Sequence, residues 1–237
     1  MSDNDSVVAL LAGASGFVGT RVLDALLDAP EVSRVFAVTR RALGREHPRL
    51  ANRIVQFDHL ERQLAGVRCQ VAFCCLGARS AERAGGGEPL RRVDLGYTLA
   101  FARAAKAAGA ARFVVISAVG ADVAAKSGYL RAKGELEQML GGLGFGALDI
   151  LQPALVLGWP REMRPVDLVR RAVMPLANPF LVGARAVHRG IPLGTAAAAM
   201  LGTIRSGRRG PQRYTYEGIR ALAALRPRKP AVLVPAT

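Results

Sequence analysis

Residues 7–19 read Val-Val-Ala-Leu-Leu-Ala-Gly-Ala-Ser-Gly-Phe-Val-Gly, an apolar run that stops abruptly at three glycines spaced three apart. The run suits a buried strand, and beyond the glycines Val18, Val22 and Leu26 recur on one helical face. Strand, tight turn and helix in that order have a specific use. Gly13 can take the turn, Gly16 admits a diphosphate close to the backbone, and Gly19 lets the helix lie against the sheet. The amides and positive end of the helix then face the phosphates, with Ser15, Phe17 and Val18 in the same turn. The plainer alternative is a glycine-rich turn with no ligand.

Further along, apolar β-branched runs alternate with helical patterns. Val7–Ala12, Val35–Thr39, Ile54–Phe57, Val71–Leu76, Phe113–Ile116 and Leu148–Leu151 read as strands; 17–28, 89–108 and 127–143 read as helices. Such alternation predicts an α/β fold, a doubly wound parallel sheet (Rossmann fold) with helices on both faces. From Pro153 the rhythm changes. Helical pieces near 165–175, 193–205 and 218–225 and a strand near 213–216 suggest a small C-terminal lobe on the substrate side. The expectation is a single domain over 1–237, with 153–225 forming that lobe and 226–237 a loose tail.

At 237 residues and 51% hydrophobic the chain can bury a full core, which excludes disorder. Arginines and prolines interrupt the apolar stretches after 148, so no membrane span is expected. The acidic Ser2-Asp3-Asn4-Asp5 start is unlike a secretory signal, and the expected compartment is the cytoplasm. The formal charge of +15 is dispersed and carried almost wholly by arginine, without interleaved aromatics, so no specific nucleic-acid partner is expected. Cys69, Cys74 and Cys75 make no disulfide framework, and the scattered His47, His59 and His188 give no metal-ligand spacing. An oligomer is possible.

Three further places carry chemistry. After the second strand, where an acid would select an unphosphorylated adenosine ribose, the chain has Thr39-Arg40-Arg41. Guanidinia pair bidentately with a 2′-phosphate, which favours NADP(H) over NAD(H); two ordinary surface arginines are the alternative. Tyr129 and Lys133, four apart, share one helical face with Leu136, Leu140 and Leu143. An inward ammonium needs an oxygen-rich partner, such as a cofactor ribose, and would make the phenol a better acid or base. A lysine snorkelling at the helix edge would look the same. Ser117, ending the fifth strand, could bond a substrate carbonyl or cap the next turn.

Taken together, these residues resemble the short-chain dehydrogenase/reductase superfamily, in its atypical, NAD(P)H-binding branch. The likeness is strongest to the oxidoreductases related to human Tat-interacting protein. It rests on Gly-Ala-Ser-Gly at 13–16, Arg40-Arg41, Phe73-Cys74-Cys75-Leu76-Gly77, and Arg92-Val93-Asp94 with Tyr97. Gly120-Ala121-Asp122, Tyr129-Leu130 with Lys133-Gly134-Glu135, and the Pro153 region complete it. The resemblance implies bound NADPH, with Ser15, Gly16, Phe17 and Val18 on the phosphates and Arg40 and Arg41 on the 2′-phosphate. Asp58 would meet the adenine, Leu76 and Gly77 would line the cofactor's course, and Tyr129 and Lys133 would stand by the nicotinamide ribose near Val156 and Arg164. It implies a reductase in which Tyr129 protonates a carbonyl, Lys133 supports it and Ser117 orients a substrate of unknown identity. Gln152 and Ala154 depart from the family's Arg-Pro-Gly run, and Ala118 and Val119 stand where relatives place serines. An NADP(H)-sensing regulator without turnover is the alternative.

Overall fold

The structure, a computed structural model, describes residues 6–77, 91–158, 178, 181 and 183–227. In chain order the elements are β1 (Val7–Ala12), α1 (Phe17–Asp28), β2 (Val32–Thr39) and β3 (Leu50–Ile54). A 3-10 turn (Phe57–His59) leads into α2 (Leu60–Gln63), then β4 (Val71–Cys74). A π-helical turn (Arg92–Tyr97) runs into α3 (Thr98–Ala107), followed by β5 (Arg112–Ile116), α4 (Gly128–Gly141), β6 (Ala147–Leu151) and β7 (Leu155–Leu157). A second 3-10 turn (Gly183–His188), β8 (Gly190–Pro192), α5 (Leu193–Ser206), β9 (Gly210–Tyr214) and α6 (Tyr216–Ala224) complete the series.

Seven strands form one parallel sheet in the order β3-β2-β1-β4-β5-β6-β9. Its direction of winding reverses between β1 and β4, the place where such sheets open a crevice at their carboxyl ends. Both faces are covered, which explains the unbroken apolar strands. Leu10 and Ala12 of β1 pack with Phe101, Phe113, Leu136 and Leu140 on the face of α3 and α4. Ala9 and Leu11 pack with Val22, Leu26, Met200 and Ile219 on the face of α1, α5 and α6. The sequence expectation of a doubly wound α/β sheet is met.

Several boundaries differ. The third strand is Leu50–Ile54, not Ile54–Phe57: Leu50 pairs with Val35 and Ile54 with Thr39, and Phe57 starts a helical turn. This is an edge strand whose last residues, Arg53 and Ile54, are exposed, so it lacks the apolar signature of its neighbours. The expected strand at 213–216 is Gly210–Tyr214 and pairs with β6 as the seventh of the main sheet. A separate two-stranded sheet of β7 and β8 was not legible, both strands being three residues long. The helix expected at 165–175 lies outside the described residues. Among the described residues no helix is long and apolar enough to cross a membrane.

Candidate functional site

The glycine turn has the geometry that its sequence demands. Gly13 has φ +83°, and a Cβ there would lie 2.6 Å from the Cys75 carbonyl oxygen at the end of β4. At Gly19 a Cβ would come within 1.9 Å of the Gly13 oxygen, so the first turn of α1 sits directly on the loop. Gly16 closes the turn through its N–H to the Gly13 carbonyl (2.9 Å) and is the N-cap of α1, a cap residue without a side chain. Thr20 turns its hydroxyl back to the Gly16 and Ala14 carbonyls, and Ser15 is exposed. The cap residue therefore brings no side chain of its own to the helix entrance, which suits an anionic diphosphate.

One strand away, β2 ends at the buried Thr39. Its hydroxyl donates to the Arg41 carbonyl (2.7 Å) and accepts from Asn52 Nδ2 on β3 (2.7 Å). Arg40 and Arg41 are exposed, and among the described residues neither guanidinium has an ion-pair partner.

Helix α4 brings Tyr129 and Lys133 together, with the Lys133 ammonium 5.8 Å from the Tyr129 ring centre. Lys133 is buried, and the expected oxygen-rich partner is a protein carboxylate: its Nζ lies 2.6 Å from Asp94 Oδ1, both side chains under 5% exposed. Burial pulls the Lys133 pKa down, but Tyr129 and then Asp94 outweigh it, leaving the ammonium above its ordinary 10.5. Asp94 belongs to the π-helical turn, where the extra residue per turn departs from a regular helix's spacing. Its Oδ1 lies 3.9 Å from where a Cβ on Gly77 would be, so the pair stands beside the Leu76–Gly77 segment that follows β4. The start of α4 is pinned in turn. A Cβ on Gly134 would come 2.3 Å from the Asp122 backbone, and the Asp122 N–H bonds the Leu130 carbonyl.

Ser117 is buried at the end of β5 and donates its hydroxyl to Glu137 Oε1 at 2.5 Å. Glu137 also accepts from Gln152 Nε2 beyond β6 and from Arg213 Nε on β9, each at 2.8 Å. The Ser117 proton thus points at a carboxylate one helical turn past Lys133. Sequence reasoning missed Glu137 and gave Asp94, part of the family likeness, no role of its own. Glu137 was detectable, because 129, 133 and 137 continue one i, i+4 stripe.

The other expected residues are dispersed along the same carboxyl edge. Leu76 is half-buried against the α3/α4 core, and Gly77 is exposed. Asp58 lies exposed in the 3-10 turn, 3.3 Å from Arg92. Val156 is in β7, whose following Gly158 abuts the Phe17 ring (2.9 Å from a Cβ to Cζ), so β7 ends over the entrance of α1. Arg164 lies outside the described residues.

A parallel sheet that reverses its winding beside a glycine-lined helix entrance is the architecture of dinucleotide-binding proteins. The family identity follows from comparison: a model described as NAD(P)H-binding matches residues 13–143. The chain belongs to this NAD(P)H-binding family, in the atypical branch of the short-chain dehydrogenases/reductases. Protein HTATIP2 of Rattus norvegicus is 32% identical over 206 residues, covering 85% of this chain and 81% of that one. Protein fmp52, mitochondrial, of Aspergillus fumigatus is 32% identical over 196 residues, covering 80% of each. In fold the chain is similar to a UDP-galactose 4-epimerase (TM-score 0.63, 16% identity, 88% of this chain and 77% of that one). It is also similar to the Bordetella bronchiseptica enzyme WbmG in complex with NAD (TM-score 0.62, 14% identity, 91% and 74%).

Proposed function

We propose that the protein is an NADP(H)-dependent oxidoreductase that reduces a carbonyl compound, with Tyr129 as proton donor and Lys133 beside it. The observation that carries this reading is the exposed Arg40–Arg41 pair, without an ion-pair partner among the described residues, one strand over from the glycine-capped entrance of α1. Gly13, Ser15, Gly16, Phe17, Val18 and Gly19 would hold the diphosphate, and Arg40 and Arg41 the 2′-phosphate. Asp58 would approach the adenine, and Leu76, Gly77, Val156 and Arg164 would flank the rest. When bound, NADPH supplies a hydride.

The chain's own part is positional and acid–base. Lys133 gives one N–H to Asp94 and keeps two donors for ribose hydroxyls. Its charge holds the Tyr129 phenol in place while that phenol passes its proton to the carbonyl oxygen. Ser117 would orient the substrate only by turning its proton away from Glu137. The proposed compartment is the cytoplasm, although the Aspergillus relative is named a mitochondrial protein.

Thermal shift tests binding. NADPH at a hundredfold its Kd adds about 2.7 kcal/mol, which for a chain of this size raises Tm by about 5–11 °C. NADH at the same concentration should give far less, and an equal response would refute the role of Arg40 and Arg41. NADPH oxidation against aldehydes, ketones and quinones tests turnover. A wild-type rate no higher than that of Tyr129→Phe on every substrate would refute catalysis and leave a binding protein.

A further inference from the structure

Asn52 sits in the middle of β3, opposite Ala37 of β2. Asparagine is depleted in strands, because its side chain competes for backbone partners and packs poorly on a pleated surface. Here that competition is put to use. Nδ2 donates to the Ala37 carbonyl (3.1 Å) and to Thr39 Oγ1 (2.7 Å), while Oδ1 accepts from the Leu43 N–H (2.9 Å). The amide's orientation is fixed by its partners, since an N–H can only donate and a carbonyl only accept. Thr39 then passes the chain on, donating to the Arg41 carbonyl at 2.7 Å. Leu43, Asn52, Thr39 and Arg41 are thus joined in one hydrogen-bonded bracket around Arg40 and Arg41. Both arginines are exposed and project from a segment with no helix or strand of its own.

We infer that Asn52 is the positioning residue for 2′-phosphate recognition. It touches no phosphate itself but holds the 39–43 segment so that both guanidinia converge on one anion. Two long arginine side chains on a loose loop would lose much of their bidentate advantage to ordering entropy. The bracket spends that entropy during folding instead. The inference rests on the NADP(H) reading and adds to it that selectivity is set from the neighbouring strand.

The test uses two probes that differ by one phosphate, 2′,5′-ADP and 5′-AMP, titrated by calorimetry against wild type, Asn52→Ala and Thr39→Val. Wild type should prefer 2′,5′-ADP. Both variants should lose about tenfold in affinity for it and less than about twofold for 5′-AMP. Without any ligand, the Leu43 amide should exchange its hydrogen about tenfold faster in Asn52→Ala, having lost its acceptor. Thr39→Val removes only one hydroxyl and stands as the second variant should Asn52→Ala fold poorly.

Wild type binding both probes alike would overturn the NADP(H) reading and the inference with it. A selective wild type with both variants equally selective would overturn the inference alone. So would an equal loss for both probes, which would mark the bracket as merely structural.

Discussion

Removing the Asp94 carboxylate should destabilise the fold sharply. Asp94 and Lys133 are 2.6 Å apart with side chains 2% and 4% exposed, so Asp94→Ala leaves a largely buried ammonium without its counter-ion. Breaking one side of a buried pair costs about 3–5 kcal/mol, and at about 2–4 °C per kcal/mol for a chain of this length Tm should fall by about 6–20 °C. Replacing both partners by apolar groups, Asp94→Leu with Lys133→Met, should recover most of that loss, because neither charge is left buried. The pH dependence has a definite sign. Lys133 titrates above its ordinary 10.5 in the folded chain, so its stabilising contribution is complete below about 10.5 and is lost as pH climbs through the raised value. The gap between wild type and Asp94→Ala should therefore be widest near neutrality and narrow in alkali. Differential scanning fluorimetry across pH 6–11 gives the comparison. As a control, the exposed Asp58–Arg92 pair, with both side chains about 60% exposed, should change little in Asp58→Ala. A fall of less than about 2 °C for Asp94→Ala would mean that Lys133 has another partner, and the reasoning would fail.

The glycine turn gives a paired prediction. Gly19→Ala drives a methyl to 1.9 Å from the Gly13 carbonyl and should cost about 1–3 kcal/mol together with nucleotide binding. Gly16→Ala meets the same oxygen at 3.1 Å, so its Tm should fall far less while NADPH affinity drops; a wild-type Tm for Gly19→Ala would refute the packing argument. Burial pushes the Cys69 and Cys74 thiols up to about 11 and Cys75 well above its ordinary value, so all three should resist iodoacetamide at pH 8 until the chain is unfolded. Labelling of the native protein within minutes would contradict that. Around Glu137, Arg213→Ala should be milder than Glu137→Ala. The Arg213 side chain is more than half exposed and stays solvated, whereas losing Glu137 strips the partner from the buried Ser117 and Gln152. Equal unfolding midpoints for the two variants would refute that ranking.

What the sequence disclosed and what it hid divides along the range of the interactions. The strand-to-glycine-to-helix run was legible because its requirements are local. A positive φ at Gly13 and a missing Cβ at Gly19 depend on residues within the same turn or the neighbouring strand end. β1, β4 and most of β5 were legible because burial on both faces leaves an unbroken apolar run, and β6 because only Asp149 interrupts one. β3 was misplaced for the converse reason: as an edge strand it can carry Asn52 and an exposed Arg53, and nothing in its own composition marks it. Asp94 was quoted only as part of a likeness, because nothing in 92–97 says that it will meet a lysine 39 positions later.

The helix α4 shows why such residues escape a pattern search and yet can be reasoned out. Tyr129, Lys133 and Glu137 lie on a stripe that also carries Leu136 and Leu140, both fully buried. An apolar count reads that face as core and stops there. Yet a buried face that carries a cation and an anion one turn apart cannot be satisfied from within its own helix, where each would still have unmet bonds. Partners must come from elements that converge on it, and in a parallel sheet those are the carboxyl ends of the strands beneath. Asp94 comes from the turn after β4, Ser117 from the end of β5, Gln152 from the end of β6 and Arg213 from β9. The polar groups that the fold must neutralise there line the same edge at which this topology binds its ligands. Changes at Asp94 or Glu137 should for that reason move stability and ligand affinity together, whereas changes at Arg40 or Arg41, exposed and without an ion-pair partner among the described residues, should move affinity alone.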